Sequence, residues 1–219
     1  CGDERAANHP YYDIGAADHS PNHELFAVTE DRLGSERYNL TLFQAGCQNP
    51  IESPLTDCRG DFEWSTDSRK LLYTRLDENQ RPNTVWCHTI GTQQTDDHLV
   101  YRLEHPGRFI GLGKTSSDAW ITIDIHDHQT NQSFLLPANL DNLCPIAVTD
   151  WIEGLEYELE HADPYLIIRG NHGYEDFALY RAPKPTAETR SNPEVWDTLW
   201  IPKKGALFSD YEVLENHWV

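Results

Sequence analysis

The hydrophobic positions of this chain fall into short runs of strand length, which polar turns and loops separate. The run Leu71-Leu72-Tyr73-Thr74 follows the polar turn at 65–68, and the run 84–90 returns after the polar loop 77–83. The loop has no helical periodicity, and both runs are rich in residues that favour strands. The stretch from Trp64 to Gly91 therefore predicts a β-hairpin.

The same hairpin layout occurs four times along the chain. The first-strand runs have spacings of 46, 49 and 45 residues, and the return strands have spacings of 46, 48 and 45. A strand-turn-strand period near 45 residues is typical of β-propeller blades, each a small antiparallel sheet. A meandering β-sandwich is the alternative, but sandwiches rarely repeat the internal layout of each hairpin. The anchors of the two sets are Leu25, Leu71, Trp120 and Tyr165, and Leu40, Trp86, Phe134 and Leu179.

We therefore expect an all-β fold, a β-propeller fragment of about four four-stranded antiparallel blades plus a stub. The blades are expected over residues 14–56, 60–103, 108–140 and 152–201, and a truncated blade over 206–219, whose second strand should begin at Trp218-Val219. The chain contains no Met and opens with Cys1, whereas a natural gene product begins with Met unless it is processed. We therefore expect an excised piece, in which a missing signal peptide carries no information.

Charge and hydropathy exclude some classes of partner. The chain has 17 Lys and Arg against 36 Asp and Glu, a formal charge of −19. A polyanion would be repelled, so nucleic acid is not an expected partner. No run of 18 apolar residues occurs, so no membrane span is expected. Most of the carboxylates are expected to form a solvated surface, although such acidity also attracts cationic ligands over a distance.

The cysteines favour a reducing compartment. There are five of them, an odd number, and they form no C-x-x-C pair. This pattern predicts neither a disulfide framework nor a zinc ribbon. Cys87 and Cys144 have apolar neighbours and are expected to be small core residues. We expect a cytoplasmic protein.

Several segments carry a resemblance to a known family. They are 72–77, Arg81-Pro82, Val85-Trp86, His88, 90–92, 97–101 and 113–117, with 26–31 and 171–181 in the flanking blades. In these segments the chain resembles the propeller of the prolyl oligopeptidase family of serine peptidases, in particular its oligopeptidase B (protease II) members. The resemblance is sequential and spans nearly the whole chain, weakening between Asp141 and Trp151 and after Pro183.

The resemblance implies a seven-bladed propeller joined to an α/β-hydrolase domain of the same chain. In this family the propeller covers the active site and restricts entry to short peptides, and oligopeptidase B cleaves after Arg or Lys. The catalytic Ser, Asp and His belong to the hydrolase domain, which this sequence lacks. The resemblance therefore assigns no catalytic residue and no cofactor here, and the isolated segment should be inert.

The residues themselves support no catalytic site. An α/β-hydrolase nucleophile needs a G-x-S-x-G turn, which does not occur in the sequence. Asp124, His126 and His128 form a weak metal candidate, because all three side chains would share one face of a strand. A His-x-His at a strand end is more often solvated, and the family implies no metal, so no metal is expected.

Acidic loop residues suggest one hypothesis about substrate. If they line the open face of the propeller, they would attract peptides that carry Arg or Lys and raise the rate of capture. Ordinary exposed loop charge is the alternative. The residues concerned are Asp77, Glu78, Asp96, Asp97, Glu175 and Asp176.

A stand-alone propeller that binds a protein partner is the second functional hypothesis. A hydrolase domain after Val219 in the natural gene would discriminate the two. Because the sequence ends inside a predicted hairpin, we also expect the isolated piece to self-associate through its open strand edges, or to have poorly ordered ends.

Overall fold

Antiparallel strands make up nearly all of the regular structure in this computed structural model, which describes residues 2–7, 9–203, 205–214 and 217–218. A short helix α1 (Gly2–Ala6) precedes the first strand. The expected all-β class is confirmed. The strands of the first sheet are β1 (Asp13–His19), β2 (Leu25–Asp31), β3 (Tyr38–Gln44), β4 (Leu55–Trp64), β5 (Lys70–Leu76), β6 (Pro82–Thr89) and β7 (His98–Arg102).

The later strands form three further sheets. Their strands are β8 (Phe109–Lys114), β9 (Trp120–His126), β10 (Asn131–Pro137), β11 (Ile146–Ala147), β12 (Tyr157–Ala162), β13 (Tyr165–Gly170), β14 (Ala178–Pro183), β15 (Asp197–Trp200), β16 (Val213–Leu214) and β17 (His217–Trp218). The second and third sheets have four strands each, in the orders β11-β10-β9-β8 and β12-β13-β14-β15, and β16 pairs with β17. Val219, expected in the last strand, lies outside the described residues.

All four predicted hairpins are confirmed, as the antiparallel pairs β2–β3, β5–β6, β9–β10 and β13–β14. Leu25, Trp120 and Tyr165 are the first residues of their strands, and Leu71 is the second residue of β5. The period near 45 residues therefore marks the same structural position in each repeat.

In the first three repeats, a hydroxyl side chain builds the turn before the first strand of the hairpin. Ser65 Oγ accepts a hydrogen bond from the backbone N–H of Lys70 at 2.9 Å and lies 2.7 Å from Asp67 Oδ1, to which it donates. Ser20 and Thr115 accept the same bond, from the N–H of the residue five positions later. The residue three positions after each hydroxyl has a positive φ: His23, Ser68 and Asp118.

Strand β4 crosses the expected boundary between the blades over residues 14–56 and 60–103. One ten-residue strand pairs with β3 at its start and with β5 at its end, so that β1 to β7 form a single sheet. The register shifts between Cys58 and Phe62, and Gly60 within the shift has φ +127°. Glycine permits this conformation, which lets the strand bend without ending. The division into blades at residues 56–60 stays a prediction, because β4 belongs to both sides.

The chain divides into two compact units, Cys1–Leu112 and Gly113–Val219, and each has its own hydrophobic core. In the first unit Leu40, Leu55, Trp64 and Tyr73 pack together at 0–2% exposure. The core of the second unit includes Leu135, Val148, Leu166, Ile168 and Tyr180, also at 0–2% exposure.

The two cysteines expected in the core differ. Cys87 on β6 is buried, as expected. Cys144 is exposed, so that expectation is wrong. It lies in the loop between β10 and β11, where its backbone N–H donates to Asn142 Oδ1 at 3.0 Å. A polar turn, and not a strand face, sets its environment.

Candidate functional site

The six acidic residues of the steering hypothesis lie in three loops. Glu78, Asp96, Glu175 and Asp176 are exposed. Asp77 instead bonds to Arg81. Its Oδ1 accepts a hydrogen bond from the Arg81 backbone N–H at 2.9 Å, and its Oδ2 forms an ion pair with the Arg81 guanidinium at 3.1 Å. These bonds hold the pKa of Asp77 below 3.8. The steering role of the exposed residues stays a prediction.

Asp97 does not fit that hypothesis. Its side chain is 0% exposed, and its two oxygens accept hydrogen bonds from His88 Nδ1 at 2.7 Å and from the Tyr73 hydroxyl at 2.6 Å. A carboxylate with this burial and these partners is unavailable to an incoming peptide. The expectation of a steering role for Asp97 is therefore wrong.

Asp97 belongs to a buried polar cluster, the His88 cluster, formed by Glu52, Tyr73, His88 and Asp97. The other ring nitrogen of His88, Nε2, lies 2.8 Å from Glu52 Oε1, and the second Glu52 oxygen accepts the Gly91 N–H at 2.7 Å. His88 is 0% exposed and Glu52 is 11% exposed. The cluster joins the loop before β4 to strands β5 and β6 and to the segment before β7.

The His88 cluster holds a buried positive charge. Burial lowers the pKa of the imidazole, but its hydrogen bonds to Asp97 and Glu52 outweigh burial and raise the pKa to about 9. At neutral pH both ring nitrogens therefore carry protons and donate to carboxylates. This arrangement is a structural ion triad, and it leaves neither ring nitrogen free to act as a general base.

The weak metal candidate does not form a site. Across the described ranges, no group of three or more His, Cys, Asp or Glu side chains is arranged to hold a metal ion. Asp124 and His126 lie on β9, but His128 lies in the loop beyond it and is exposed. Two hydroxyl groups hydrogen-bond to the Asp124 carboxylate. Ser133 Oγ donates to Oδ1 at 2.6 Å, and Thr122 Oγ1 donates to Oδ2 at 2.7 Å.

Asp124 instead lines a cleft of about 510 Å³ in the second unit, which we call the Asp124 cleft. One wall carries Thr122, Asp124 and Ser133 from β9 and β10, and the other carries Tyr157 and Glu158 from β12. Burial raises the pKa of Asp124 above 3.8, although the two hydroxyl bonds lower it. Volumes of 300–1,000 Å³ are usual for ligand pockets.

One Ser-His-Asp trio also comes together, although the sequence assigned none. Ser117 Oγ lies 3.0 Å from His161 Nδ1, and His161 Nε2 lies 3.7 Å from Asp163 Oδ1. The ammonium of Lys184 donates a hydrogen bond to Asp163 Oδ1 at 2.6 Å and lies 3.4 Å from His161 Nε2. Burial and the Lys184 charge lower the pKa of His161. A lysine competes for the aspartate and Ser117 lies in a hairpin turn, so this trio is no catalytic triad.

A model of the prolyl oligopeptidase N-terminal β-propeller domain matches residues 2–219. The chain therefore belongs to the prolyl oligopeptidase family, as its propeller portion. Its antiparallel sheets match part of that propeller. None of the described helices has the length and apolar character that crossing a membrane requires.

Individual relatives support this assignment at low identity. Dipeptidyl aminopeptidase BI of Pseudoxanthomonas mexicana is 25% identical over 204 residues, covering 92% of this chain and 27% of that protein. Protease 2 of Moraxella lacunata is 24% identical over 192 residues, covering 86% and 28%. The structure of oligopeptidase B from Leishmania major has a TM-score of 0.85 at 22% identity, covering 95% and 29%. The chain thus spans under a third of the length of these relatives.

Proposed function

We propose that this chain is the non-catalytic, substrate-gating propeller of a serine oligopeptidase that hydrolyses short peptides after Arg or Lys. The match of the family propeller to residues 2–219 carries the proposal. Its natural partner is then the α/β-hydrolase domain of the same parent chain, in a cytoplasmic protein. The basic specificity is supported by the resemblance to Protease 2 and oligopeptidase B and by the formal charge of −19.

The His88 cluster and the hydroxyl-built turns fit a gating role. A domain that restricts entry must keep its strands and loops in fixed positions. Buried, fully bonded polar groups give such rigidity, because each departure from the native position leaves a charge or donor unpaired.

The experiment is a cleavage assay on the full natural chain that contains this segment. The substrates are short fluorogenic peptides with a blocked N-terminus, with Arg, Lys, Pro or norleucine before the scissile bond. We expect cleavage after Arg and Lys only, and its loss after reaction with a serine-directed fluorophosphonate. Cleavage of unblocked peptides alone would indicate a dipeptidyl aminopeptidase, the activity named by another relative.

A protein-binding propeller without peptidase activity is the second candidate. The low identity to every relative named above favours keeping it. Absence of cleavage of all four peptides by the full natural chain would make it the leading function.

A further inference from the structure

The Asp124 cleft contains a carboxylate that its surroundings do not neutralise. Within the part of the chain that the structure describes, only the Thr122 and Ser133 hydroxyls hydrogen-bond to Asp124, and no cationic side chain does. His126, two residues along β9, contributes a charge that favours the ionised form, but burial outweighs it. The carboxylate is therefore held in a fixed orientation by neutral donors and faces an open cleft.

Arg169 also lines the cleft, but its guanidinium bonds to groups other than Asp124. The guanidinium of Arg169 lies over the Phe177 ring at 4.1 Å and pairs with Glu158 at 3.5 Å, and its Nε donates to the Phe208 carbonyl at 2.7 Å. These contacts anchor Arg169 to its own wall. They also show that the walls of this cleft accommodate a guanidinium on an aromatic face beside a carboxylate.

The other buried carboxylates compared with Asp124 either pair with a cation or lie away from this cleft. Asp97 and Glu52 receive the charged imidazole of His88. Asp61 resembles Asp124 more closely, because it is bonded by the Thr74 hydroxyl and by the Leu112 N–H, and burial likewise raises its pKa. Asp61 does not line the Asp124 cleft. Asp124 combines a neutral hydrogen-bond environment with access to a cleft of ligand size.

We propose that the Asp124 cleft binds the cationic end of a lysine or arginine side chain of a peptide, with Asp124 as its counter-ion. The aliphatic stem of such a side chain would lie against Tyr157, Leu159 and Phe177, and Glu156 adds negative charge at the wall. Hydrogen bonds to charged groups are stronger than those between neutral ones, so the carboxylate favours ammonium or guanidinium over a neutral head group. That the cation arrives on a peptide rests on the proposed function.

The test measures binding by the full natural chain after its nucleophile has been blocked with a fluorophosphonate. The probes are acetyl-Gly-Lys-Gly-amide and its neutral analogue with norleucine, titrated by calorimetry. Asp124→Asn keeps the size of the side chain and removes its charge. We expect it to weaken Lys peptide binding by about tenfold or more, to the level of the norleucine peptide. Asp61→Asn, the matched control, should leave the affinity within about twofold.

A second variant and the fold check make the outcome decisive. Glu156→Gln changes charge at the wall without touching the Asp124 hydrogen bonds, and we expect it to weaken binding by a few-fold. Circular dichroism must show that both variants keep the native strand content. If folded Asp124→Asn binds the Lys peptide as the natural chain does, or if Asp61→Asn weakens binding equally, the inference is wrong.

Two further outcomes separate the site from the proposed function. If the full chain cleaves after Arg and Lys while Asp124→Asn changes neither peptide binding nor KM, the cleft is not a binding site and the proposed function stands. If no peptide is cleaved but Lys peptide binding depends on Asp124, the site stands and the proposed function fails. Equal Asp124-dependent binding of butylamine and of the Lys peptide would overturn the peptide as the specific source of the cation.

Discussion

The charge of the His88 cluster makes a prediction about stability against pH. Replacing His88 with Gln keeps a hydrogen-bonding side chain but removes the imidazolium between Glu52 and Asp97. The two carboxylates, 11% and 0% exposed, then have no buried cation between them. We expect the variant to be less stable at neutral pH, because removing one partner of a buried ion pair leaves the others uncompensated.

The magnitude follows from the pKa of His88. A rise from 6.5 in the unfolded chain to about 9 in the native one corresponds to about 3 kcal/mol of stabilisation, at about 1.4 kcal/mol for each pKa unit. Because the native pKa is the higher one, the stabilisation is present in full below about pH 6.5. It is lost as the pH rises towards and through about 9.

The assay is urea unfolding of the natural chain, of His88→Gln and of His98→Gln at about pH 6 and about pH 9.5. His98 is an exposed residue of β7, so its variant controls for the loss of a histidine. The natural chain and the His98 variant should lose about 3 kcal/mol more between the two pH values than the His88 variant does. Equal losses in all three proteins would refute a charged His88, as would an imidazole NMR titration with a midpoint near 6.5.

Two further variants test how the strands are held, with the free energy of unfolding in urea as the measurement. Ser65→Ala removes the hydroxyl bonded to Lys70 and should cost about 1–2 kcal/mol, whereas a cost near zero would show that the turn does not need it. Gly15→Ala would place a Cβ 2.8 Å from the Cα of Gly60 and should cost about 1–3 kcal/mol. Gly111→Ala, where a Cβ meets nothing within 4 Å, is the control, and equal costs at both glycines would contradict the close approach.

The hairpins were predictable from sequence because each depends on local features. Short apolar runs, turn residues and polar loops lie within about 25 residues of one another in every repeat. Strand β4 was not predictable in the same way. Pro50, Pro54 and Gly60 favour an interrupted segment, but the structure uses Gly60 for a bulge inside a continuous strand.

The polar clusters depend on pairing that the sequence does not display. Glu52 is 36 residues from His88, and Asp97 is nine residues beyond it. Only the path of the loops brings them together. Strand alternation puts Asp124 and His126 on one face of β9, and both line the Asp124 cleft. The Asp124 partner Ser133 lies on β10, directly opposite in the β9–β10 register, which the hairpin loop sets.

Some of the acidic residues have a structural role in the loops, which the net charge alone does not show. An aspartate lies at or just after the end of the first hairpin strand in each of the first three repeats, and its carboxylate accepts backbone N–H groups of the following loop. Asp31 accepts from Leu33 and Gly34. The corresponding residues Asp77 and Asp127 accept from the loops after β5 and β9.

These aspartates lie 46 and 50 residues apart, so they follow the same repeat as the hydrophobic anchors. Side chains that are bonded to their own loop hold it in shape, and they are poorly placed to attract a distant peptide. If the chain attracts basic peptides as proposed, the attraction must come from carboxylates outside this repeat. The exposed Glu78, Asp96, Glu175 and Asp176 are such groups, and Asp124 is one that a peptide would reach only by entering a cleft.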